Sequence, residues 1–323
     1  MTKPLISVIV PVHNAERYIA RCMESILAQD YENYEIVAVV DNSDDASLGI
    51  LKAYQKADKR VKITEKKIGN PGGARNAGLD NAKGDLIMFV DADDALYDDA
   101  LSYLCGVLEK TKSDVVIGAY SGEEILEQPK KEQKVLDAHD AKIDMMYQKI
   151  SSAPWAKLYR ASVIGKTRFP KYMMAEDALF NYVVFSAAKK IVVDNHLCYR
   201  YIENERGLVL KPFNPARMDG LKAVAEMEKI ATKAEEPEDI LEAIHCSYFF
   251  NAFSSLCNMN DSKTGKKDYE KEYNELSEYV KKYAPVVVKS KNATKRQKRY
   301  ARSIKRSVSG TLRAMKMVKK LRG

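Results

Sequence analysis

The chain has 323 residues, of which 46% are hydrophobic, and its 53 Lys and Arg against 45 Asp and Glu give a net charge of +8. This length accommodates one large domain with an appendage, and the composition is that of a globular protein with an ordinary core. No window reaches the 18 or more apolar residues of a membrane-spanning helix, which argues against such a helix.

Two further features favour a cytoplasmic location. The first residues run directly into a strand-like segment without a charged and then apolar leader, so we expect no secretory signal. The five cysteines are an odd number and show no C-x-x-C spacing. That usage is typical of reduced thiols rather than of a disulfide framework or a zinc site.

The first part of the chain alternates strand and helix patterns. Short apolar runs predict strands at residues 5–10, 35–40, 61–64, 86–90 and 115–119. Apolar residues at helical spacing predict a helix after each of the first four strands, and Asn14 is a candidate cap for the first helix. This alternation predicts an α/β fold with a Rossmann-like, mostly parallel sheet, right-handed crossovers and helices on both faces.

The second part is predicted in less detail. Residues 121–149 are mostly polar and predict a surface excursion, after which a helix follows Glu176 and a last strand covers 191–193. From Pro215 the pattern is helical, with one apolar stripe at Tyr269, Tyr273, Leu276, Val280 and Tyr283. We therefore expect a sheet domain over 1–210, a small helical domain over 211–288 and a basic tail over 289–323.

The sheet domain is organised around residues 84–94, where the apolar strand 86–90 runs into Asp91, Asp93 and Asp94. Ligands of open α/β sheets bind at the carboxyl ends of the strands. In extended backbone Asp91 and Asp93 point the same way, and two such oxygen ligands suit Mg²⁺ or Mn²⁺ bridging to a diphosphate. The alternative is an acidic turn that stops the strand and caps the next helix.

Four blocks in the first 210 residues together resemble the family 2 glycosyltransferases, which have the GT-A fold. They are residues 7–16 (SVIVPVHNAE), 40–45 (VDNSDD), 73–79 (GARNAGL) and 89–94 (FVDADD). Residues 157–160 (KLYR) followed by 176–177 (ED) resemble the acceptor-side block of the bacterial polysaccharide and cell-wall branch. The chain departs from the family pattern at His13, where Tyr is more usual, and at Val40 and Asn42.

The resemblance implies an inverting, metal-dependent glycosyltransferase that moves a hexosyl or N-acetylhexosaminyl group from a UDP-sugar to a glycan or lipid-linked acceptor. In this interpretation Mn²⁺ or Mg²⁺ neutralises the charge that develops on the diphosphate leaving group. The implied donor-site roles are these: Asp93 as metal ligand, Asp91 as ligand of the ribose or the metal, Asp41 as acceptor from the uracil imide, Pro11 and Val12 beside the base, Arg75 at the diphosphate or Asp91, and Asn70 in the donor pocket.

The resemblance also implies a general base, Asp177, which deprotonates the acceptor hydroxyl. Glu176 is the fallback, and the alternative is that the Glu176-Asp177 pair caps the following helix. His196 is a weaker candidate for a further metal ligand, with a structural histidine as the alternative. Arg200 and Arg206 are candidates to hold the diphosphate from a mobile loop, or else are solvated charges.

Residues 289–323 hold 14 Lys and Arg and no acidic residue, which leaves 39 basic against 45 acidic residues in the body. From residue 300 the tail carries one helical stripe, at Tyr300, Ile304, Val308, Leu312, Met315, Val318 and Leu321. This pattern predicts a basic amphipathic helix that lies on an anionic membrane surface, at the inner face of the membrane. The alternatives are a stripe that packs on the body or a second subunit, and a disordered tail.

Two other functions stay open at this point. A nucleotidyltransferase on sugar phosphates shares the fold, but the loop of residues 11–15 lacks the glycines that such enzymes place around a triphosphate. A nucleic-acid-binding protein that uses the basic tail is disfavoured, because the body is acidic and no base-reading motif is present. The transferred sugar, the acceptor and the oligomeric state are not fixed by the sequence.

Overall fold

The computed structural model describes residues 3–124, 126–204, 212–262 and 265–322, with the side chains of 318–322 excepted. The chain forms two compact units. The first comprises residues 1–141, 152–173 and 180–205, and the second comprises 142–151, 174–179 and 206–323.

The first unit is built on one sheet. Among the described residues its strands are β1 Ile6–Val12, β2 Tyr34–Asp41, β3 Val61–Lys66, β4 Leu86–Phe89, β5 Ala95–Leu96, β6 Val115–Ser121, β7 Gln133–Leu136, β8 Lys157–Arg160 and β9 Ile191–Arg200. They lie in the order β3-β2-β1-β4-β8-β6-β9-β5, and β7 pairs with β9. The four strands β3, β2, β1 and β4 are parallel, as predicted.

The other half of the sheet is mixed. Strand β8 runs antiparallel to both of its neighbours, β4 and β6, while β5 and β7 run antiparallel to β9. Only β6 and β9 are parallel there. The alternation rule did not predict β8, because the chain leaves the sheet after β6 and re-enters it from the opposite end.

Helices flank the sheet of the first unit: α1 Ile19–Leu27, α2 Ser47–Ala57, α3 Pro71–Asn81, α4 Ala100–Thr111 and the short α6 Ala161–Ile164. Helix α3 packs very close to β1, because a Cβ on Gly78 would lie 2.2 Å from the Ile9 side chain. Close approach of this kind requires glycine. It brings the preceding turn of α3, which carries Arg75, to the carboxyl end of β1.

The predicted cap at Asn14 is wrong. Asn14 has a left-handed backbone (φ 49°), and α1 begins later, after Tyr18. The Asn14 side-chain oxygen instead accepts a hydrogen bond from the Asp44 backbone N–H at 3.0 Å. Asn tolerates the left-handed region and bonds locally, so it ties the loop after β1 to the loop after β2.

Residues 121–149 are not a surface excursion throughout. Within them β7 pairs with β9, and residues 141–146 of helix α5 (Ala138–Met146) are buried. The polar composition misled the prediction because Lys142, only 4% exposed, is buried with a partner. Its ammonium contacts both carboxylate oxygens of Glu236, at 2.5 and 2.6 Å.

The second unit is helical in its described part. Beyond a 3-10 turn at Pro215–Met218 it contains α8 Asp219–Lys233, α9 Glu238–Asp261, α10 Gly265–Asp268, α11 Glu270–Lys289, α12 Lys295–Arg306 and α13 Val308–Arg322. The stripe predicted from Tyr273 to Tyr283 is the buried face of α11. Helix α7, Glu176–Ala187, has its first turn in this unit and the rest in the first.

The tail forms two helices, not the single helix predicted. A capping box between Thr294 and Gln297 starts α12, and the extended backbone of Ser307 (φ −162°, ψ 119°) ends it. The stripe residues Ile304, Val308 and Leu312 are buried, so this part of the stripe packs on protein and offers no apolar face to a bilayer. Within the described residues, no helix combines the length and apolar character needed to cross a membrane.

Removing one partner of the buried Lys142–Glu236 pair is expected to destabilise the protein. Because Lys142 is almost fully buried, Glu236→Ala leaves its ammonium without that carboxylate and should lower the free energy of unfolding by about 2–3 kcal/mol. Urea denaturation measures this change. The matched control is Glu226→Ala, which removes the exposed partner of Lys229 and should cost less than about 1 kcal/mol. Equal losses in the two variants would contradict the structural role of Lys142.

Candidate active site

Three carboxylates cluster where the central parallel strands end. Strands β1 and β4 pair with Ile9 opposite Phe89, and the Val90 N–H donates to the Ile9 carbonyl at 3.0 Å. The chain then turns, and the Asp94 N–H donates to the Asp91 carbonyl at 3.1 Å. The backbone is therefore not extended between Asp91 and Asp93, and the predicted strand-like alternation of these side chains is wrong. The turn places Asp94 with Asp91 and Asp93, whereas an extended strand would direct Asp94 to the opposite face.

Asp91 pairs with Arg75 of α3. The Arg75 Nη2 lies 2.8 Å from the Asp91 Oδ1, and Arg75 is 6% exposed. Its guanidinium lies over the Phe169 ring, 5.5 Å from the ring centroid. The ring and the buried position fix the direction of the guanidinium, so Asp91 meets a positive charge that is already in place.

Asp93 is held by groups from two distant parts of the chain. The Asn204 Nδ2 donates to the Asp93 Oδ2 at 3.0 Å, and the Tyr18 hydroxyl donates to the Asn204 Oδ1 at 3.2 Å. The Arg21 guanidinium donates to the Asp93 carbonyl at 2.8 Å. Burial, and next the charge of Asp91, raise the pKa of Asp93 above its ordinary value.

Asp94 is fully buried and closes the turn. The Tyr199 hydroxyl donates to the Asp94 Oδ2 at 2.6 Å and accepts from the Asp91 N–H at 3.1 Å, while the Ile202 N–H donates to the Asp94 Oδ1 at 2.8 Å. Burial first, and then Asp91, raise the pKa of Asp94 to about 8. The Trp155 ring stacks on the Tyr199 ring at 4.8 Å and holds it in position.

The donor atoms of this turn fit a divalent cation. Ionised carboxylates at close range repel one another, and a hard cation such as Mg²⁺ or Mn²⁺ prefers carboxylate oxygens. Burial first, and then the charge of Asp91, raise the pKa of Asp93, and a bound cation would favour its ionised form. Among the described residues, a separate group of three potential ligands lies at the exposed start of α5, at Asp137, His139 and Asp140. Asp137 caps that helix, since its Oδ1 accepts from the Asp140 N–H at 2.9 Å.

The predicted base-binding residues lie at the same edge of the sheet. Pro11 and Val12 end β1, with Val12 opposite Val40 of β2. Asp41 ends β2 and is buried, and its two carboxylate oxygens accept from the Ile68 N–H at 2.6 Å and the Gly69 N–H at 2.8 Å. Asp41 therefore also anchors the loop that leads into α3.

Asn70 has a defined structural role. It is the N-cap of α3, where its Oδ1 accepts from the Gly73 N–H at 2.7 Å, and the helix begins at Pro71. An N-cap of this type stabilises a helix by about 1 kcal/mol. Asn70 thus has a local structural role at the start of α3, whatever its further role at the donor.

Asp177 and Glu176 lie in the first turn of α7. The Asp177 Oδ1 accepts from the Ala178 N–H at 2.7 Å, while Glu176 is buried. Acids in the first turn complement the helix dipole. The local role that the sequence offered as an alternative is therefore present, and the assignment of Asp177 as general base stays a prediction.

The remaining candidates have other partners. The His196 Nε2 lies 2.9 Å from the Asp99 Oδ2, and its ring stacks on Tyr103 at 3.5 Å, which is the structural alternative. Arg200 ends β9 instead of lying in a loop, and its guanidinium donates to the Glu123 carbonyl at 2.7 Å. The prediction for Arg206 lies outside the described residues.

Tyr199→Phe tests whether the turn depends on β9. The variant removes the donor to the buried Asp94 and the acceptor for the Asp91 N–H, so we expect the free energy of unfolding to fall by about 1–3 kcal/mol. Urea denaturation again provides the measurement. Tyr201→Phe is the matched control, because its ring also stacks on Trp155 while its hydroxyl makes no hydrogen bond within the described residues. Equal stability of Tyr199→Phe and the control would show that the hydroxyl does not hold the turn.

Comparison with known proteins gives a consistent result. The family described as "Glycosyl transferase family 2" matches residues 7–163. The poly(ribitol-phosphate) beta-glucosyltransferase of Bacillus spizizenii is 34% identical over 211 residues, which are 62% of this chain and 33% of that protein. The chain thus spans about a third of the length of that relative.

Solved structures share the fold. Residues 1–349 of TarS from S. aureus, in complex with UDP-GlcNAc, align with a TM-score of 0.65 at 22% identity, over 93% of this chain and 87% of the other. The mannosyltransferase PcManGT from Pyrobaculum calidifontis, in complex with GDP-Man and Mn²⁺, aligns with a TM-score of 0.58 at 15% identity, over 99% and 88%. The chain has the predicted GT-A fold, and its residues 7–163 belong to glycosyl transferase family 2.

Proposed function

We propose that this protein transfers a sugar from a UDP-sugar to a hydroxyl of a glycan or lipid-linked acceptor in surface-polysaccharide or cell-wall synthesis. The observation that carries the proposal is the turn of Asp91, Asp93 and Asp94 at the carboxyl end of β4, with Arg75 paired to Asp91. A relative named for glucosyl transfer to poly(ribitol phosphate) and a structural neighbour holding UDP-GlcNAc support the sugar and acceptor classes.

The donor is proposed to lie along the carboxyl edge of the parallel strands. The uracil would rest beside Pro11 and Val12 and donate its imide proton to Asp41. The Asp41 Oδ1 accepts from the Ile68 N–H and from the Asn42 side-chain amide, whereas the Oδ2 accepts from the Gly69 N–H. Because a carboxylate oxygen offers two lone pairs, the Oδ2 keeps acceptor capacity for the base. Asn70 caps α3 beside this loop, and the positive end of the helix dipole there favours a diphosphate.

Cleavage of the sugar–diphosphate bond places negative charge on the leaving group. A divalent ion held by Asp93, with Asp91 as second ligand or as ligand of the ribose, would supply the compensating charge. Arg75 contributes a fixed positive charge next to Asp91. Asn204 donates to the Asp93 Oδ2 and so fixes the orientation of the carboxylate. This bond therefore also sets the direction of the Asp93 Oδ1. The protein thus fixes its ligands before the donor arrives, and little reorganisation accompanies the reaction.

The transfer is proposed to invert the configuration at the anomeric carbon, with one carboxylate acting as general base on the acceptor. Asp177 would accept the proton of the acceptor hydroxyl as that oxygen attacks the anomeric carbon. A second acid is unnecessary, because the diphosphate leaves with its charge already compensated. A lipid-linked acceptor would place the protein at the inner face of a membrane, and no nucleic acid takes part.

Asp93→Asn is expected to abolish metal-dependent donor turnover. The amide keeps the shape of the side chain but loses the charge that a divalent ion requires. Release of UDP or GDP from a panel of UDP- and GDP-sugars with Mn²⁺ measures slow donor hydrolysis without knowledge of the acceptor. Asp98→Asn is the matched control, because Asp98 is an exposed acid five residues after Asp93. Full wild-type activity in excess EDTA would reject the metal.

Asp177→Asn is expected to leave donor binding intact and to lower turnover by roughly a hundredfold or more, the scale of a lost general base. Calorimetric titration with UDP reports binding, and sugar transfer to an accepted acceptor reports turnover. Glu176→Gln is the matched variant in the same helical turn. If Asp177→Asn keeps the wild-type turnover, Asp177 has only its local role at the start of α7. If turnover is lost in Glu176→Gln alone, the general base is Glu176.

A further inference from the structure

Helix α12 presents one side to the protein and the other side to solvent. Ala301 and Ile304 are buried, and Val308 and Leu312 continue this buried line into α13. Both helices contact the helical unit to which they belong, and the Lys316 ammonium of α13 donates to the Asn260 carbonyl of α9 at 2.5 Å. The apolar stripe is thus used internally, and the solvent side of α12 is the feature without an assigned partner.

That solvent side is densely cationic. We call it the α12 basic face, and its exposed residues are Lys295, Arg296, Arg299, Arg302, Lys305 and Arg306. No acidic residue occurs from 289 to the end of the chain. Within the described residues none of these six side chains forms an ion pair; the Arg296 guanidinium bonds only the Tyr300 hydroxyl, at 3.3 Å. The positive charge of the face is therefore not neutralised by the protein.

This arrangement works against the stability of the helix. Arg299, Arg302 and Arg306 are spaced by three and four residues, so like charges adjoin on one face, which is unfavourable in a helix. Lys295 and Arg296 occupy the first turn, where the positive end of the helix dipole opposes cations. Both the repulsion between like charges and the helix dipole disfavour cations at these positions. Their presence there is therefore consistent with a surface that binds an anionic partner.

The neighbouring part of α13 indicates which anionic partner. Met317 is 66% exposed, and Ala314 is exposed beside Arg313, so apolar and cationic side chains adjoin on the outside of α13. Apolar side chains next to cations favour the headgroup region of a lipid bilayer. There the apolar side chains can enter the acyl boundary while the cations bind lipid phosphates. A nucleic acid or another soluble polyanion would gain nothing from the exposed Met317.

We propose that the α12 basic face docks this protein on an anionic lipid surface by charge, while the apolar stripe of the tail holds α12 to the helical unit. The predicted contact with an anionic membrane surface is thereby kept, but the α12 basic face makes it in place of the apolar stripe. This inference rests on the proposed function only in the choice of a membrane that carries a lipid-linked acceptor. The docking itself is independent of the sugar, the metal and the general base.

The experiment is flotation of the full chain with vesicles of phosphatidylcholine and phosphatidylglycerol in equal parts, and with vesicles of phosphatidylcholine alone. We expect binding to the anionic vesicles at low salt, and its loss at high salt, since exposed charges are screened. The triple variant Arg299→Gln, Arg302→Gln and Arg306→Gln should partition about a hundredfold more weakly, from about fivefold per cation near an anionic surface.

The matched control removes three exposed lysines from the sheet unit, as Lys56→Gln, Lys59→Gln and Lys110→Gln. It lowers the net charge equally and should keep the wild-type partition. Thermal unfolding checks that both triple variants are folded, and donor hydrolysis in solution should be unchanged in the α12 variant. If the wild type floats with anionic vesicles but does not hydrolyse any donor, the proposed reaction is rejected and the docking proposal stands.

Four results would overturn the docking proposal: no flotation of the wild type with anionic vesicles at low salt, equal flotation with neutral vesicles, equal losses in the two triple variants, or wild-type partition of the α12 variant. Polyuridylate is included as a competitor. If the wild type binds polyuridylate but not anionic vesicles, the partner of the face is a nucleic acid and the lipid assignment is wrong.

Discussion

The structure depends on how one turn accommodates three neighbouring carboxyl groups. Asp91, Asp93 and Asp94 lie within a stretch of four residues shortly after β4, and the side chain of Asp94 is fully buried. Like charges brought out of water are costly unless each is paired or hydrogen-bonded. Each acid has a different solution: a guanidinium for Asp91, an amide for Asp93, and a hydroxyl with a backbone N–H for Asp94. The protein thus keeps three acidic side chains together in one turn at an energetic cost.

These solutions explain the surrounding architecture. The guanidinium comes from α3, which reaches the turn because Gly78 lets the helix approach β1. The hydroxyl and the N–H come from the end of β9 and the residues after it, which lie over a hundred positions away in sequence. The parallel half of the sheet therefore supplies the acids, and the mixed half supplies the groups that hold two of them. A site divided in this way needs both halves to fold.

The sequence predicted the parallel half well, because β1, β2 and β4 are mainly apolar runs buried on both faces and its motifs lie within short segments. It did not predict Tyr199 or Asn204, since a single Tyr or Asn far from the acids carries no local pattern. It misassigned α5, because Lys142 is charged and nevertheless buried with Glu236. It also joined α12 and α13, because the stripe continues in register through Ser307 while the backbone does not. Local periodicity reports the buried face of an element, whereas its ends and long-range partners follow from tertiary contacts.

The central claim is that this acidic turn holds a divalent ion against the diphosphate of a sugar nucleotide. The most direct test is diffraction at the manganese absorption edge from crystals grown with UDP and Mn²⁺. The account predicts an anomalous peak in contact with the Asp93 carboxylate and with the diphosphate oxygens. UDP bound without a peak at the turn, or a peak only at the exposed group of Asp137, His139 and Asp140, would contradict it.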